Sequence, residues 1–131
     1  MRIMIDTNVL ISMIFFPSQQ MNELKSKLCN EHSIVLCSHI VDELQTVTER
    51  KFPARIKEMD GFFESLPYEL VYTPKILDKF PQVRDKKDTP ILAAAITTDV
   101  DVLITGDGDF SEIEIERPEI LTPSEFVEFY M

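Results

Sequence analysis

The residues of this chain best suited to chemistry are carboxylates at the ends of predicted strands and helices: Asp6, Glu43, Asp88, Asp107 and Asp109. Carboxylates held close together repel one another, and some take up protons unless a divalent cation removes that cost. An all-oxygen ligand set favours Mg²⁺ or Mn²⁺ over zinc or copper. Such an ion can clamp and polarise a phosphate and generate hydroxide from bound water. Any one of the 23 acidic residues is an ordinary structural residue, but together these five predict a metal site.

Asp6 ends the apolar run Ile3–Ile5, and Thr7 and Asn8 follow it before a second apolar run. This pattern predicts a buried strand with a carboxylate at its C-terminal edge. In open parallel α/β sheets ligands lie outside that edge, so Asp6 stands where chemistry is usually found. Asp is also a good helix cap, and the stretch alone leaves open whether Asp6 only caps the next helix.

Hydrophobic periodicity predicts alternating strands and helices. The predicted strands are 3–5, 33–37, 69–73, 101–105 and 120–121, and the predicted helices are 9–16, 20–30, 38–52, 54–65, 88–97 and 122–130. Ser38 is the predicted cap of the third helix, and residues 74–87 a surface connection. The alternation indicates an α/β fold with three α/β/α layers and a mainly parallel sheet of four to five strands. We expect one domain over residues 1–131.

The carboxyl ends of parallel strands and the starts of the helices that follow them share one edge of the sheet. Asp6, Glu43, Asp107 and Asp109 all follow strands in this way. Asp88 is the exception, because it begins a helix that leads into a strand. Its place at the same edge does not follow from connectivity.

The formal net charge of −10 argues against a nucleic-acid partner, because phosphate binding usually leaves a basic footprint. The distribution of basic residues weakens this argument, since nine of the thirteen Lys and Arg residues fall in the windows 50–57 and 75–87. No apolar run approaches the roughly 20 residues of a membrane span. Asp6 and Asn8 interrupt the N-terminal run, unlike a signal peptide. We therefore expect a cytoplasmic protein whose two cysteines, Cys29 and Cys37, are free thiols.

Five segments in order resemble the PIN-domain family. They are Ile5-Asp-Thr-Asn-Val-Leu10, Val41-Asp-Glu-Leu44, Arg84-Asp-Lys-Lys-Asp-Thr-Pro-Ile-Leu92, Leu103-Ile-Thr-Gly-Asp-Gly-Asp-Phe110 and Leu121-Thr-Pro-Ser-Glu-Phe126. The last also resembles the bacterial, VapC-like subgroup of toxins from toxin–antitoxin systems. The resemblance implies a Mg²⁺- or Mn²⁺-dependent endoribonuclease that cuts single-stranded or loop RNA, with a cognate antitoxin and a homodimer as expected partners.

Carried over by position, the resemblance implies an acidic quartet of Asp6, Glu43, Asp88 and Asp107, with Asp109 as a frequent fifth acid. Asp6, Asp88, Asp107 and Asp109 would be metal ligands, and Glu43 a ligand or the group that orients the attacking water. Asn8 would help hold Asp6, and Thr105 would line the site. Lys87 is a departure, since the subgroup often has another Asp there. Arg50, Lys51, Lys86 and Lys87 are candidate contacts to backbone phosphates.

The sequence leaves four alternative interpretations open. A phosphatase forming an aspartyl-phosphate also begins with an Asp after the first strand, but usually needs a second Asp where this chain has Asn8. A receiver domain needs an acceptor Asp after the third strand, where Tyr72 and Thr73 stand. A catalytically inert PIN-fold interaction module is compatible with the fold, although all four quartet positions are still acids. A zinc site of Cys29, His32, Cys37 and His39 lacks a common zinc spacing.

Overall fold

The computed structural model describes residues 1–110 and 112–131. Its strands are β1 (Arg2–Ile5), β2 (Ser33–Cys37), β3 (Tyr68–Val71), β4 (Val102–Ile104) and β5 (Glu119–Leu121). Its α-helices are α1 (Thr7–Phe15), α2 (Gln19–Glu31), α3 (Ser38–Lys51), α4 (Ile56–Ser65), α5 (Thr89–Thr97) and α6 (Pro123–Tyr130). Short 3₁₀ turns lie at Pro53–Arg55 and Gly108–Phe110.

The five strands form one sheet in the order β3-β2-β1-β4-β5, and all four pairings are parallel. The prediction of an α/β/α fold with a mainly parallel sheet of four to five strands is confirmed. Strand β1 lies at the centre, and its residues Ile3, Met4 and Ile5 are fully buried. A parallel sheet is covered by helices on both faces, which is why its central strands are apolar throughout rather than alternating. The sequence order also reverses at β1, so ligands are expected at its carboxyl end.

The body of helix α5 is buried in the core, since Ala93, Ala94 and Ala95 have no exposed surface. At the C-terminus, Thr122 and Glu125 form a capping box at the start of α6. That helix buries Phe126 completely.

One predicted cap is wrong. Ser38 is the first helical residue of α3, and the N-cap position is Cys37, which makes no side-chain capping bond. The Ser38 hydroxyl instead donates to Thr73 Oγ1 at 3.2 Å and accepts from the Thr73 N–H at 3.1 Å. A tertiary partner after β3 therefore replaces the local capping bond that the residue type favours.

The predicted surface connection 74–87 is anchored rather than wholly exposed. Val83 is buried in the core, and its N–H donates to the hydroxyl of Thr89 at 3.1 Å. This bond ties the end of the connection to the first turn of α5. Both cysteines are free thiols, as expected. Within residues 1–110 and 112–131, no helix combines the length and apolar character needed to cross a membrane.

Candidate active site

Asp6 is held rigidly between the ends of β1 and β4. Its N–H donates to the Ile104 carbonyl at 2.9 Å, which continues the ladder between the two strands. Its Oδ1 accepts from the Thr7 N–H at 2.7 Å, and its Oδ2 accepts from the Thr105 hydroxyl at 2.7 Å. Asp6 is therefore both the cap of α1 and a buried carboxylate, 3% exposed, so the two interpretations of this residue hold together.

The loop after β4 is organised by the same network. The Thr105 hydroxyl accepts from the Asp107 N–H at 3.0 Å, and Asp107 Oδ1 accepts from the Asp109 N–H at 2.9 Å. The Asn8 side chain accepts from the Gly106 N–H at 3.4 Å and ties the start of α1 to this loop. The polar side chains after β1 and β4 thus fix where Asp107 and Asp109 lie.

Asp88 reaches the same place by a different route. It occupies the N-cap position of α5 without a side-chain capping bond, and it is 7% exposed. Its Oδ2 atom is buried and has no hydrogen-bond partner within the described residues. The Thr7 hydroxyl oxygen is likewise buried without a hydrogen-bond partner within the described residues. Buried polar atoms without partners are costly, so they call for an explanation such as a ligand.

A small cavity of about 210 Å³ brings these groups together. It is lined by Asp6, Thr7, Asn8, Ile11, Glu43, Val47, Asp85, Lys87, Asp88 and Asp107. Glu43 projects from α3, and its Oε2 lies 4.0 Å from His39 Nε2. The structure therefore gathers Asp6, Glu43, Asp88 and Asp107 around one space, together with Asn8 and Lys87.

The charges in this cavity are strongly perturbed. Burial raises the pKa of Asp6, although hydrogen bonds from Thr105 and Thr7 oppose the rise. Burial, a hydrogen bond with Asp107 and repulsion by Asp6 and Asp107 raise the pKa of Asp88 to about 8. The pKa of Asp107 is lowered, chiefly by the N–H of Asp109, with a further contribution from Asp88. Without a cation, Asp88 therefore carries a proton at neutral pH and shares it with Asp107.

The carboxylates compact enough to hold one ion are Asp85, Asp88 and Asp109. One oxygen from each lies within 4.8 Å of the others, the only such group found within the described part of the chain. Asp6 and Asp107 lie outside this compact group. Asp88 belongs to both sets, since it also hydrogen-bonds Asp107.

No sequence pattern predicted a role in the site for Asp85 or Thr7. Asp85 stands three residues before Asp88, and its carbonyl accepts from the Asp88 N–H at 3.0 Å. That turn brings both carboxylates to one side. The Asp–Lys–Lys–Asp spacing was the available signal for Asp85. Nothing in the sequence distinguishes the hydroxyl of Thr7 from any other threonine at the start of a helix.

The predicted phosphate-contacting residues are not all at the cavity. Lys87 lines it, and Lys86 is exposed beside it in sequence. Arg50 and Lys51 are exposed in the last turn of α3. They stand seven and eight residues after Glu43, about two helical turns farther along α3. Neither residue lines the acidic cavity.

Comparison with known proteins places this geometry in context. No curated protein matches the chain significantly. A similar fold occurs in VapBC2 from Rickettsia felis, whose crystal structure was solved with a DNA fragment from the VapBC2 promoter bound. Its TM-score is 0.71 at 19% sequence identity, and the match covers 92% of this chain and 97% of that one. VapC20 from Mycobacterium tuberculosis, described as a sarcin–ricin loop cleaving toxin, has a TM-score of 0.61 at 15% identity over 83% of this chain and 92% of that one.

A family model described as PIN domain matches residues 2–109, most of the chain and every acid of the cavity. This match confirms the resemblance found in the sequence. The chain belongs to the PIN-domain family.

Proposed function

We propose that this protein is a Mg²⁺- or Mn²⁺-dependent endoribonuclease and the toxin component of a toxin–antitoxin pair, acting on RNA in the cytoplasm. The observation that carries the proposal is the buried, unpartnered Oδ2 of Asp88 in a cavity that also holds Asp6, Glu43 and Asp107. Such a concentration of negative charge is costly for the fold alone, and strongly shifted pKa values cluster at functional sites.

The residues fit a divalent cation. Asp88 and its neighbours Asp85 and Asp109 supply oxygen atoms at a separation that one ion can bridge. All of the donors are oxygens, which suits Mg²⁺ or Mn²⁺. When bound, such an ion would polarise the scissile phosphate and lower the pKa of a bound water.

The chain's own residues would prepare the site. Thr105 and Thr7 hold both oxygens of Asp6 in place, so Asp6 presents a fixed negative charge to the cavity. Glu43 comes from a different helix and is the candidate for orienting the attacking water. Lys87 would contact a phosphate oxygen of the substrate, and Lys86, Arg50 and Lys51 would follow the backbone farther from the cut.

The fold similarity to VapBC2 and VapC20 supports the narrower parts of the proposal. An RNA loop is the proposed substrate, and a protein antitoxin is the proposed inhibitor. Co-expression with the product of a neighbouring gene should abolish cleavage if that product is the antitoxin. A nuclease that no neighbouring product inhibits would remove the toxin role and leave the enzyme.

The test is cleavage of a mixed single-stranded and hairpin RNA with Mn²⁺ or with EDTA. Asp6→Asn and Asp88→Asn should lose metal-dependent cleavage while keeping the fold. The matched control is Asp60→Asn, because Asp60 is exposed on α4 and has no hydrogen-bond or ion-pair partner in the described part of the chain.

Two outcomes would contradict the proposal. Full activity in a folded Asp6→Asn protein would remove Asp6 from the site. No cleavage together with no rise in melting temperature on adding Mn²⁺ would favour the inert interaction module, because a ligand that binds the native state must stabilise it.

A further inference from the structure

The ring of His39 carries a buried polar atom that lacks a partner. Its Nε2 atom makes no hydrogen bond within the described residues. The other buried side-chain atoms without partners there are Thr7 Oγ1 and Asp88 Oδ2, and both residues line the acidic cavity. His39 Nε2 faces Glu43, a further lining residue, whose Oε2 is 4.0 Å away. The unpartnered atoms of the described chain therefore lie in or beside one site, and each calls for an explanation.

The backbone of His39 is fixed by a contact from a distant part of the chain. Its N–H donates to Thr73 Oγ1 at 3.1 Å, and the same oxygen accepts from the Ser38 hydroxyl at 3.2 Å. The Thr73 N–H donates in turn to Ser38 Oγ at 3.1 Å. The start of α3 is thus bonded to the segment that follows β3. This anchor fixes the backbone from which the His39 ring projects toward Glu43.

The carboxylate of Glu43 lacks the hydrogen bonds that orient other acids of the site. Both oxygens of Asp6 accept hydrogen bonds, and Asp107 accepts one from a backbone N–H. Within residues 1–110 and 112–131, the Glu43 carboxylate accepts none, and His39 is the basic residue beside it. A glutamate side chain is long and flexible, so holding it in one rotamer costs entropy. A group that orients a water must itself be held in place, which requires a supporting residue.

We propose that His39 is the positioning residue for Glu43, with its Nε2–H donating to the Glu43 carboxylate. The inference rests on the proposed nuclease function, in which Glu43 orients the attacking water. The two residues are one turn apart on α3, at the i and i+4 positions whose side chains are neighbours on a helix. A small rotation of the flexible Glu43 side chain would shorten the 4.0 Å separation to a hydrogen bond. Catalytic hydrogen bonds are often long before substrate binds and tighten afterwards.

An ordinary surface ion pair does not explain this arrangement. Exposed pairs on a helix keep both groups in contact with water and contribute little to stability. The His39 side chain is partly exposed, but the nitrogen that faces Glu43 is its buried one. A buried N–H needs an acceptor, and Glu43 supplies it. The neutral ring is sufficient for this bond, so the proton stays on His39.

A neutral donor has a specific advantage at this position. It fixes the direction of the Glu43 carboxylate without cancelling its negative charge, as a paired lysine or arginine would. His39 does not line the cavity, so it contacts neither the substrate nor a bound ion there. Its removal should therefore slow the reaction of bound RNA while leaving the binding of RNA and of metal unchanged.

The first test is the kinetics of RNA cleavage by the full chain in Mn²⁺. His39→Leu should lower kcat by about tenfold, with KM and the Mn²⁺-induced rise in Tm unchanged. His39→Gln keeps an N–H donor on a side chain of similar reach and should recover most of the lost rate. The matched control is Gln45→Leu, at an exposed position of the same helix, which should leave kcat unchanged. Circular dichroism checks the fold of each variant.

Three kinetic results would overturn the proposal. An unchanged kcat in His39→Leu would show that Glu43 needs no such support. An equal loss in His39→Gln and His39→Leu would show that the shape of the ring matters rather than its N–H. A smaller Mn²⁺-induced rise in Tm for His39→Leu would show that the residue acts on the metal instead of on Glu43.

A second measurement does not require activity. The two histidines of the chain lie at opposite ends of β2, so His32 is an internal control. In proton–nitrogen NMR correlation spectra at about pH 8, where histidine rings are generally neutral, His39 should carry its proton on Nε2. Glu43→Gln should shift the His39 signals and leave those of His32 unchanged, and His39→Gln identifies which signals belong to His39.

The spectra separate this proposal from the nuclease itself. A His39 proton on Nδ1, or His39 signals that Glu43→Gln does not shift, would contradict the contact whether or not the protein cleaves RNA. The expected shifts in a protein that cleaves no RNA would contradict the proposed function and leave the His39–Glu43 contact.

Discussion

Replacing Asp88 by Asn should stabilise the protein in EDTA while greatly reducing its stabilisation by metal. Asp88 is buried, and its pKa is raised from 3.8 to about 8 by burial and by its acidic neighbours. The folded state therefore binds a proton that the unfolded state releases between these two pH values. Stability from this group is fully present below pH 3.8 and is lost as the pH rises toward 8. Asn is uncharged at every pH and carries no such penalty.

The size of the effect follows from proton linkage. One proton bound in the folded state and absent in the unfolded state changes stability by about 1.4 kcal/mol per pH unit. From pH 4 to 7 the upper limit is about 4 kcal/mol. The pKa of Asp107 is lowered in the folded state, which stabilises the folded protein at neutral pH and offsets part of this loss of stability. We expect Asp88→Asn to be about 2 kcal/mol more stable at pH 7, or about 6 °C in Tm for a domain of this size.

The assay is thermal or urea unfolding at pH 4 and pH 7, in EDTA and in excess Mn²⁺. Wild type should gain about 2.7 kcal/mol from Mn²⁺ at a hundred times its Kd, and Asp88→Asn should gain much less. Asp60→Asn should match wild type in every condition. A stability of Asp88→Asn below that of wild type in EDTA at pH 7 would contradict this prediction, as would an equal gain in stability at pH 4 and pH 7.

Three further predictions concern the surroundings of the site and the core. Thr105→Val removes the hydroxyl that donates to Asp6 Oδ2, and it should lower the cleavage rate by about tenfold, which corresponds to the loss of about 1.4 kcal/mol. The control Thr46→Val, on the exposed face of α3, should leave the rate unchanged. An unchanged rate for Thr105→Val would show that Asp6 does not need this hydrogen bond. Lys87→Gln should raise KM for RNA and reduce the salt dependence of binding by about one phosphate contact. Lys79→Gln is the exposed control. An unaltered salt dependence for Lys87→Gln would show that Lys87 does not contact the RNA. Phe126→Ala, at a fully buried position of α6, should cost about 3–5 kcal/mol in urea unfolding, and a loss below about 1 kcal/mol would mean that α6 contributes little to the core.

Much of the fold could be predicted because its signals are local. The apolar runs of β1 and β2 and the alanine-rich body of α5 each report burial of a whole element, and burial is what hydrophobic periodicity measures. The capping box at Thr122 was also predictable, since both of its partners lie within one helical turn. Ser38 shows the limit of such signals, because its hydroxyl bonds to Thr73, 35 residues away, instead of capping the helix locally.

The sequence by itself predicted that Asp6 and Asp107 would stand at one edge of a parallel sheet, since Asp6 directly follows the apolar run 3–5 and Asp107 comes three residues after the apolar run 102–104. Tertiary structure decided that Asp88 and Asp85 would join them, because the path of residues 74–87 depends on where Val83 and Thr89 are buried. It also decided which carboxylate keeps its proton, since that depends on the distances between acids and on their removal from water. Such distances are set by packing between elements far apart in the chain, and no local pattern encodes them.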